Sequence, residues 1–134
     1  GVTFTDATTL KPTFSNFYPA ATTPANSEDI TAFVNDDPFQ EYIIASDASL
    51  GGTLALRKSK IGLTYATTAA AGSTTTGKSS IQLGISTGAT TAKQLRVVRV
   101  AEDPENQDQT AANCSLVVKV NLHQYTVGSL ATGI

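Results

Sequence analysis

Residues Gly72-Ser-Thr-Thr-Thr-Gly77-Lys78-Ser79 match, letter for letter, the pattern of a nucleotide-binding loop. In such a loop glycines let the backbone turn, the lysine reaches the phosphates and the last hydroxyl holds magnesium. That chemistry needs an apolar strand before the loop and a helix after it, whose first amides hold the phosphates. Here Thr67-Thr-Ala-Ala-Ala71 precede the loop, and Ser80-Ile-Gln-Leu-Gly-Ile-Ser86 follow it with the period of two that marks a strand. No acid lies between Asp47 and Glu102 to serve as a local magnesium partner. The expectation is a hairpin tip, with a small nucleotide-dependent enzyme as a rival.

The other reactive side chains are few. His123 is the single histidine, so any hydrolytic triad would need it as the base, and no nucleophile-elbow pattern accompanies it. One His and one Cys cannot build a zinc site, and the carboxylates at Asp36-Asp37 and Glu102–Asp108 lack the spacing of an EF-hand. Cys114, the lone cysteine, excludes an intramolecular disulfide and reads as a small buried hydrophobe at a strand start. The expectation is a protein that is not an enzyme and has no cofactor and no metal.

Charge gives the positive signal. The net charge is −2, but Ala48–Ala101 holds seven basic residues (Arg57, Lys58, Lys60, Lys78, Lys93, Arg96, Arg99) and no acid. The segments before, within and after that window carry −6, +7 and −3. A basic segment of this kind is the electrostatic footprint of a polyanion binder, since phosphate contacts release condensed counterions. The competing reading is lysine guarding strand edges.

The elements that would position these groups follow from patterning. The 134 residues are expected to form one domain. No stretch reaches the roughly 18 apolar residues of a membrane-spanning helix, and no basic-then-apolar leader is present. Gly1 is what removal of an initiator Met would leave. Residues 1–47 read as an irregular, Pro-rich arm with a short strand at Val2–Thr5 and a short capped helix at Ser27–Val34. From Tyr42 the period changes to two, with 48–134 as an antiparallel sheet: Leu54 and Leu56, then Ile61, Leu63 and Tyr65, then Ile81, Leu83 and Ile85, then Leu95–Val100, then Leu116, Val118, Val120 and Leu122. The fold class expected is mainly β, an antiparallel meander with at most one short helix. By parity, Thr64, Ser80, Gln82, Ser86, Lys119, Asn121 and His123 share its polar face.

A short N-terminal β segment followed by antiparallel strands with a basic, Ser/Thr-rich face resembles the coat proteins of single-stranded RNA bacteriophages. Leu54-Ala-Leu-Arg-Lys-Ser-Lys60 looks like that family's central strand and basic turn, and Asn113-Cys-Ser-Leu-Val-Val-Lys119 like its last strand. The resemblance covers about Leu50 to His123 and implies a dimer whose sheets join edge to edge. Such dimers would assemble in the host cytoplasm into an icosahedral virion shell around single-stranded genomic RNA, with no membrane involved. Arg57, Lys58 and Lys60 would match the basic turn, and Lys119 and Asn121 the RNA-facing side of the last strand. Thr64, Ser80 and Gln82 would complete that face. The chain departs from the family at its end, because His123–Ile134 reads as a strand or tail where a helical clasp is expected. The Ser27–Val34 helix is one candidate for a replacement clasp. Another reading is a β-sandwich decoration, pilin-like or adhesive protein that binds no nucleic acid.

Overall fold

Leu95-Arg-Val-Val-Arg-Val100 and Ser115-Leu-Val-Val-Lys-Val120 are runs of β-branched and long side chains, and they form the two longest strands, β8 and β9. The computed structural model describes residues 1–17, 23–27, 30–73, 75–106 and 108–123. The chain separates into two units, Gly1–Asp36 with Gly72–Ser79, and Asp37–Ala71 with Ser80–Ile134.

In the first unit, β1 (Val2–Thr5) lies between β2 (Pro12–Ser15) and β3 (Thr31–Ala32), antiparallel to both. Asp6 closes the β1–β2 turn by accepting from the amides of Thr8 and Thr9 and from the Thr9 hydroxyl. Those bonds, the Thr9 amide first, hold its carboxyl below the ordinary range. The expected strand at Val2–Thr5 is present. Of the helix expected over Ser27–Val34, residues 28 and 29 lie outside the described residues, and the described part is not helical. A short 3₁₀ turn at Ala25–Ser27 contains Asn26 at φ 57°, and Thr31 and Ala32 then pair with β1 instead. β-branched Thr31 suits that pairing better than a helix interior.

The second unit is built on a four-stranded antiparallel sheet in the order β4-β9-β8-β5, with β4 at Glu41–Ala45 and β5 at Thr64–Tyr65. A pair of two-residue strands, β6 (Thr67–Thr68) and β7 (Gln82–Leu83), forms separately. Among the described residues the architecture is mainly β and antiparallel with one short helix, as expected. The strand order is not a meander, because β9 returns beside β4, the Greek-key arrangement. Leu54–Ser59 is the helix α1 and not a strand. Thr53 caps it by accepting the Leu56 amide through its hydroxyl, and Leu, Ala, Arg and Lys are strong helix formers. Among the described residues no helix is long and apolar enough to cross a membrane.

The core lies on one face of this sheet. Leu50, Tyr65, Leu83, Ile85, Val97, Cys114, Leu116 and Val118 pack there, with Ile44, Leu63, Leu95 and Val100 around them. Cys114 is buried immediately before β9, where the sequence placed a small hydrophobe. Ser46, fully buried, accepts the Cys114 amide through Oγ, while its own amide donates to the Cys114 carbonyl. Asp47 accepts the Ile85 amide and the Thr68 hydroxyl, so β7 is tied to the end of β4. Tyr65 has no exposed surface and donates its hydroxyl to the Lys60 carbonyl at 2.9 Å, and burial pushes its phenol up to about 12. A Cβ on Gly88 would come within 2.7 Å of that ring, so only glycine fits the close approach.

Candidate nucleic-acid interface

Side chains alternate along a strand, so with Leu116 and Val118 in the core, Ser115, Val117 and Lys119 point to the opposite face. The register extends that face sideways. Lys119 stands opposite Glu41 on one side and Arg96 on the other, and Arg96 stands opposite Thr64. One step along, Val117 stands between Ile43 and Arg99.

Arg96 and Arg99 are three residues apart, which in a regular strand sends them to opposite faces. A register shift between Val97 and Arg99 inserts one extra residue, Val98, against β9. This β-bulge restores parity, so Arg96 and Arg99 join Lys119 on one face. Glu41 is the acid in the same rows. It reaches Arg99 Nη2 and Lys119 Nζ, each at 3.6 Å, with side-chain exposures of 52% for Arg99, 40% for Glu41 and 37% for Lys119. Arg96 donates through Nε to the Gly62 carbonyl at 3.2 Å, which fixes its stem and leaves the end of the guanidinium for other partners. Within the paired rows three cations meet one carboxylate, and Glu102 and Asp103 line a cavity beside Arg99, Ile43 and Val117. Arg96 and Lys119 are like charges directly across strands, an arrangement that is intrinsically destabilising.

The residues expected to form the polar face are divided among several places. Lys119 lies on the cationic face. Thr64 occupies the right parity, opposite Arg96, yet has no exposed surface. Residues 89–91 cover it, and its hydroxyl sits against the carbonyls of Ala89 and Thr91. Its assignment to an RNA-facing surface is thereby corrected. Asn121 donates its side-chain amide to the Lys93 carbonyl at 3.1 Å. Gln82 is in the separate β6–β7 pair, with its amide donated to Asn113 Oδ1 and the Ser46 carbonyl. Ser80 is exposed but precedes β7, and Ser86 lies in a 3₁₀ turn, because the period of two after the loop persists for only two residues. Half-buried His123 follows β9, and residues 124–134 of the expected tail lie outside the described residues.

Arg57, Lys58 and Lys60 belong to α1 and its C-terminus, not to a strand and turn. Arg57 is half-buried and donates to the Gly51 carbonyl, while its Nε is buried without an acceptor among the described residues. Lys58 is exposed and Lys60 half-buried. Arg96 and Arg99 were missed by parity reasoning. The one sequence signal for them is membership of the acid-free window.

The nucleotide-binding pattern has a different geometry from the one its chemistry needs. Gly72–Ser79 lies in the connection between antiparallel β6 and β7, as a hairpin tip would. Ser73 N–H donates to the Lys78 carbonyl, Gly77 N–H to the Ser73 carbonyl, Thr76 N–H to Ser73 Oγ and Lys78 N–H to Thr76 Oγ1. Gly77 takes φ +66°, and a Cβ there would strike the Phe17 ring at 2.8 Å. These four amides are spent inside the loop, whereas a phosphate-binding loop turns its amides toward the ligand.

No protein-family model matches the sequence, and no curated protein or solved structure is significantly similar to it.

Proposed function

We propose that the chain is a viral coat protein that self-assembles into a shell and packages single-stranded RNA against the cationic face of β4, β9, β8 and β5. The carrying observation is the convergence of Arg96, Arg99 and Lys119 on one sheet face through the Val98 bulge. A binding surface of this kind needs no reaction centre. Phosphate contacts supply affinity that falls with salt, and any hairpin specificity comes from unpaired bases, since the deep groove of A-form RNA is closed to side chains. Arg57, Lys58 and Lys60 form a second source of positive charge on α1.

Self-assembly is supported by exposed apolar side chains in each unit. Phe14, Phe33 and Val34 in the first, and Phe39 and Ile43 in the second, are all more than half exposed. Surfaces of this kind favour burial against another subunit. β4 is the margin of the sheet among the described residues, so an edge-to-edge homodimer would join along Glu41–Ala45. These exposed side chains also favour a second reading, a decoration, pilin-like or adhesive subunit that assembles without nucleic acid.

Negative-stain microscopy of the purified protein with its absorbance ratio at 260 and 280 nm separates the two. Uniform shells that contain RNA are expected. Shells or fibres free of nucleic acid would replace the coat reading with the second, and a clean monomer would end both.

A further inference from the structure

Glu41 is the acid that breaks the cationic rows, and its position is specific. It is the first residue of β4, it stands opposite Lys119, and its two carboxylate oxygens are divided between Arg99 and Lys119, one to each. Both contacts are 3.6 Å, well beyond the roughly 2.7–2.9 Å of a saturated charge-assisted bond. The two cations therefore keep unused donors pointed at a single anionic group.

Accepting the reading of this face as an RNA-binding surface, we propose that the space between Arg99 and Lys119 is a seat for one RNA phosphate, held in the free protein by the Glu41 carboxylate. Glu41 is thus an autoinhibitory anion. An RNA phosphodiester presents two non-bridging oxygens sharing one negative charge, as the carboxylate does, so one oxygen can face each cation. The exchange is easy because exposed ion pairs are weak, and rotating the Glu41 side chain breaks no ladder bond. It also confers selectivity. A stray monovalent anion competes poorly with a tethered carboxylate, whereas an RNA strand brings a neighbouring phosphate to Arg96 at the same time and gains from multivalency.

The test is binding of a fluorescent oligouridylate to the full chain by anisotropy, from about 50 to 200 mM salt. Four proteins are compared: wild type, Glu41→Gln, the control Glu105→Gln, and Arg99→Ala with Lys119→Ala. Glu105 is exposed in a 3₁₀ turn and pairs with none of the strands, so its change removes the same charge from outside the paired rows. Glu41→Gln should bind about 3- to 10-fold tighter at low salt, as expected for release of two exposed ion pairs. Its log–log salt slope should steepen by up to about 0.7, for the one phosphate seated. Glu105→Gln should stay within about twofold of wild type, as surface charges off the contact do. Unchanged or weaker binding by Glu41→Gln, with the double variant still impaired, overturns the seat and leaves the RNA-binding reading standing. An equal gain from Glu105→Gln also overturns it, since net charge would then explain the effect. If the double variant binds as wild type does, the face is not the binding surface and both ideas fall.

Discussion

The Gly72–Ser79 loop and the cationic face of the large sheet are opposites. The loop carries an unbroken linear motif, yet the amides of Ser73, Thr76, Gly77 and Lys78 all donate within it. The face carries no motif, yet Arg96, Arg99 and Lys119, drawn from two strands, meet on it with one carboxylate between them. A motif describes spacing along the chain, while ligand binding depends on which donors remain unpaired in space. By that measure four of the loop's amides are spent, and the face has donors to give.

The strongest way to break the contrast is from beneath the face. Leu116→Ala removes a fully buried side chain from the strand that carries Lys119 and should cost about 2–5 kcal/mol in urea unfolding, with RNA binding lost in proportion. Next comes the face itself. Arg96→Ala, Arg99→Ala and Lys119→Ala together should weaken oligonucleotide binding by about 100-fold at low salt, near 2.7 kcal/mol. The salt slope should flatten by about 2, since each single-strand phosphate contact contributes about 0.7. Lys78→Ala in the loop should weaken it by no more than about threefold, as the loss of one exposed surface charge does, and a loss matching the triple variant would reverse the comparison.

A smaller effect concerns Tyr65, whose hydroxyl ties β5 to Lys60. Tyr65→Phe should cost about 1–1.5 kcal/mol by loss of the bond to a carbonyl that is left without that donor. The pH dependence has a definite sign. The native phenol is pushed from 10.0 up to about 12, so folding favours the protonated form. That contribution is complete below pH 10.0 and is lost as pH rises toward about 12. Unfolding followed from pH 9 to about 12 should show an alkaline decline in wild type that Tyr65→Phe lacks. The smallest effect is at the loop, where ATP with magnesium should leave the melting temperature unchanged. A rise on the order of 2–4 °C would mean that the loop opens and binds phosphate after all.

Much of the fold was legible. β1, β8 and β9 lie where β-branched runs and alternation place them, and Cys114 is buried where a small hydrophobe was expected. Leu54 and Leu56 misled, because two apolar residues spaced by two also fit the start of a short helix, and the Thr53 cap decided between them. Thr64 had the correct parity, but parity says nothing of the 89–91 segment that covers it. Gln82 and Asn121 had polar ends that neighbouring carbonyls and an asparagine claimed first.

By itself the sequence determined the β class, the acid-free basic window and the alternation that puts Leu116 and Val118 beneath Lys119. Propensity and period are local properties, so one chain segment is enough to carry them. The tertiary structure alone decided which cations meet. β9 had to return between β4 and β8, and Val98 had to bulge, before Arg96, Arg99, Lys119 and Glu41 could share a face. Strand order and register depend on packing between distant segments, and no spacing along a single strand contains them.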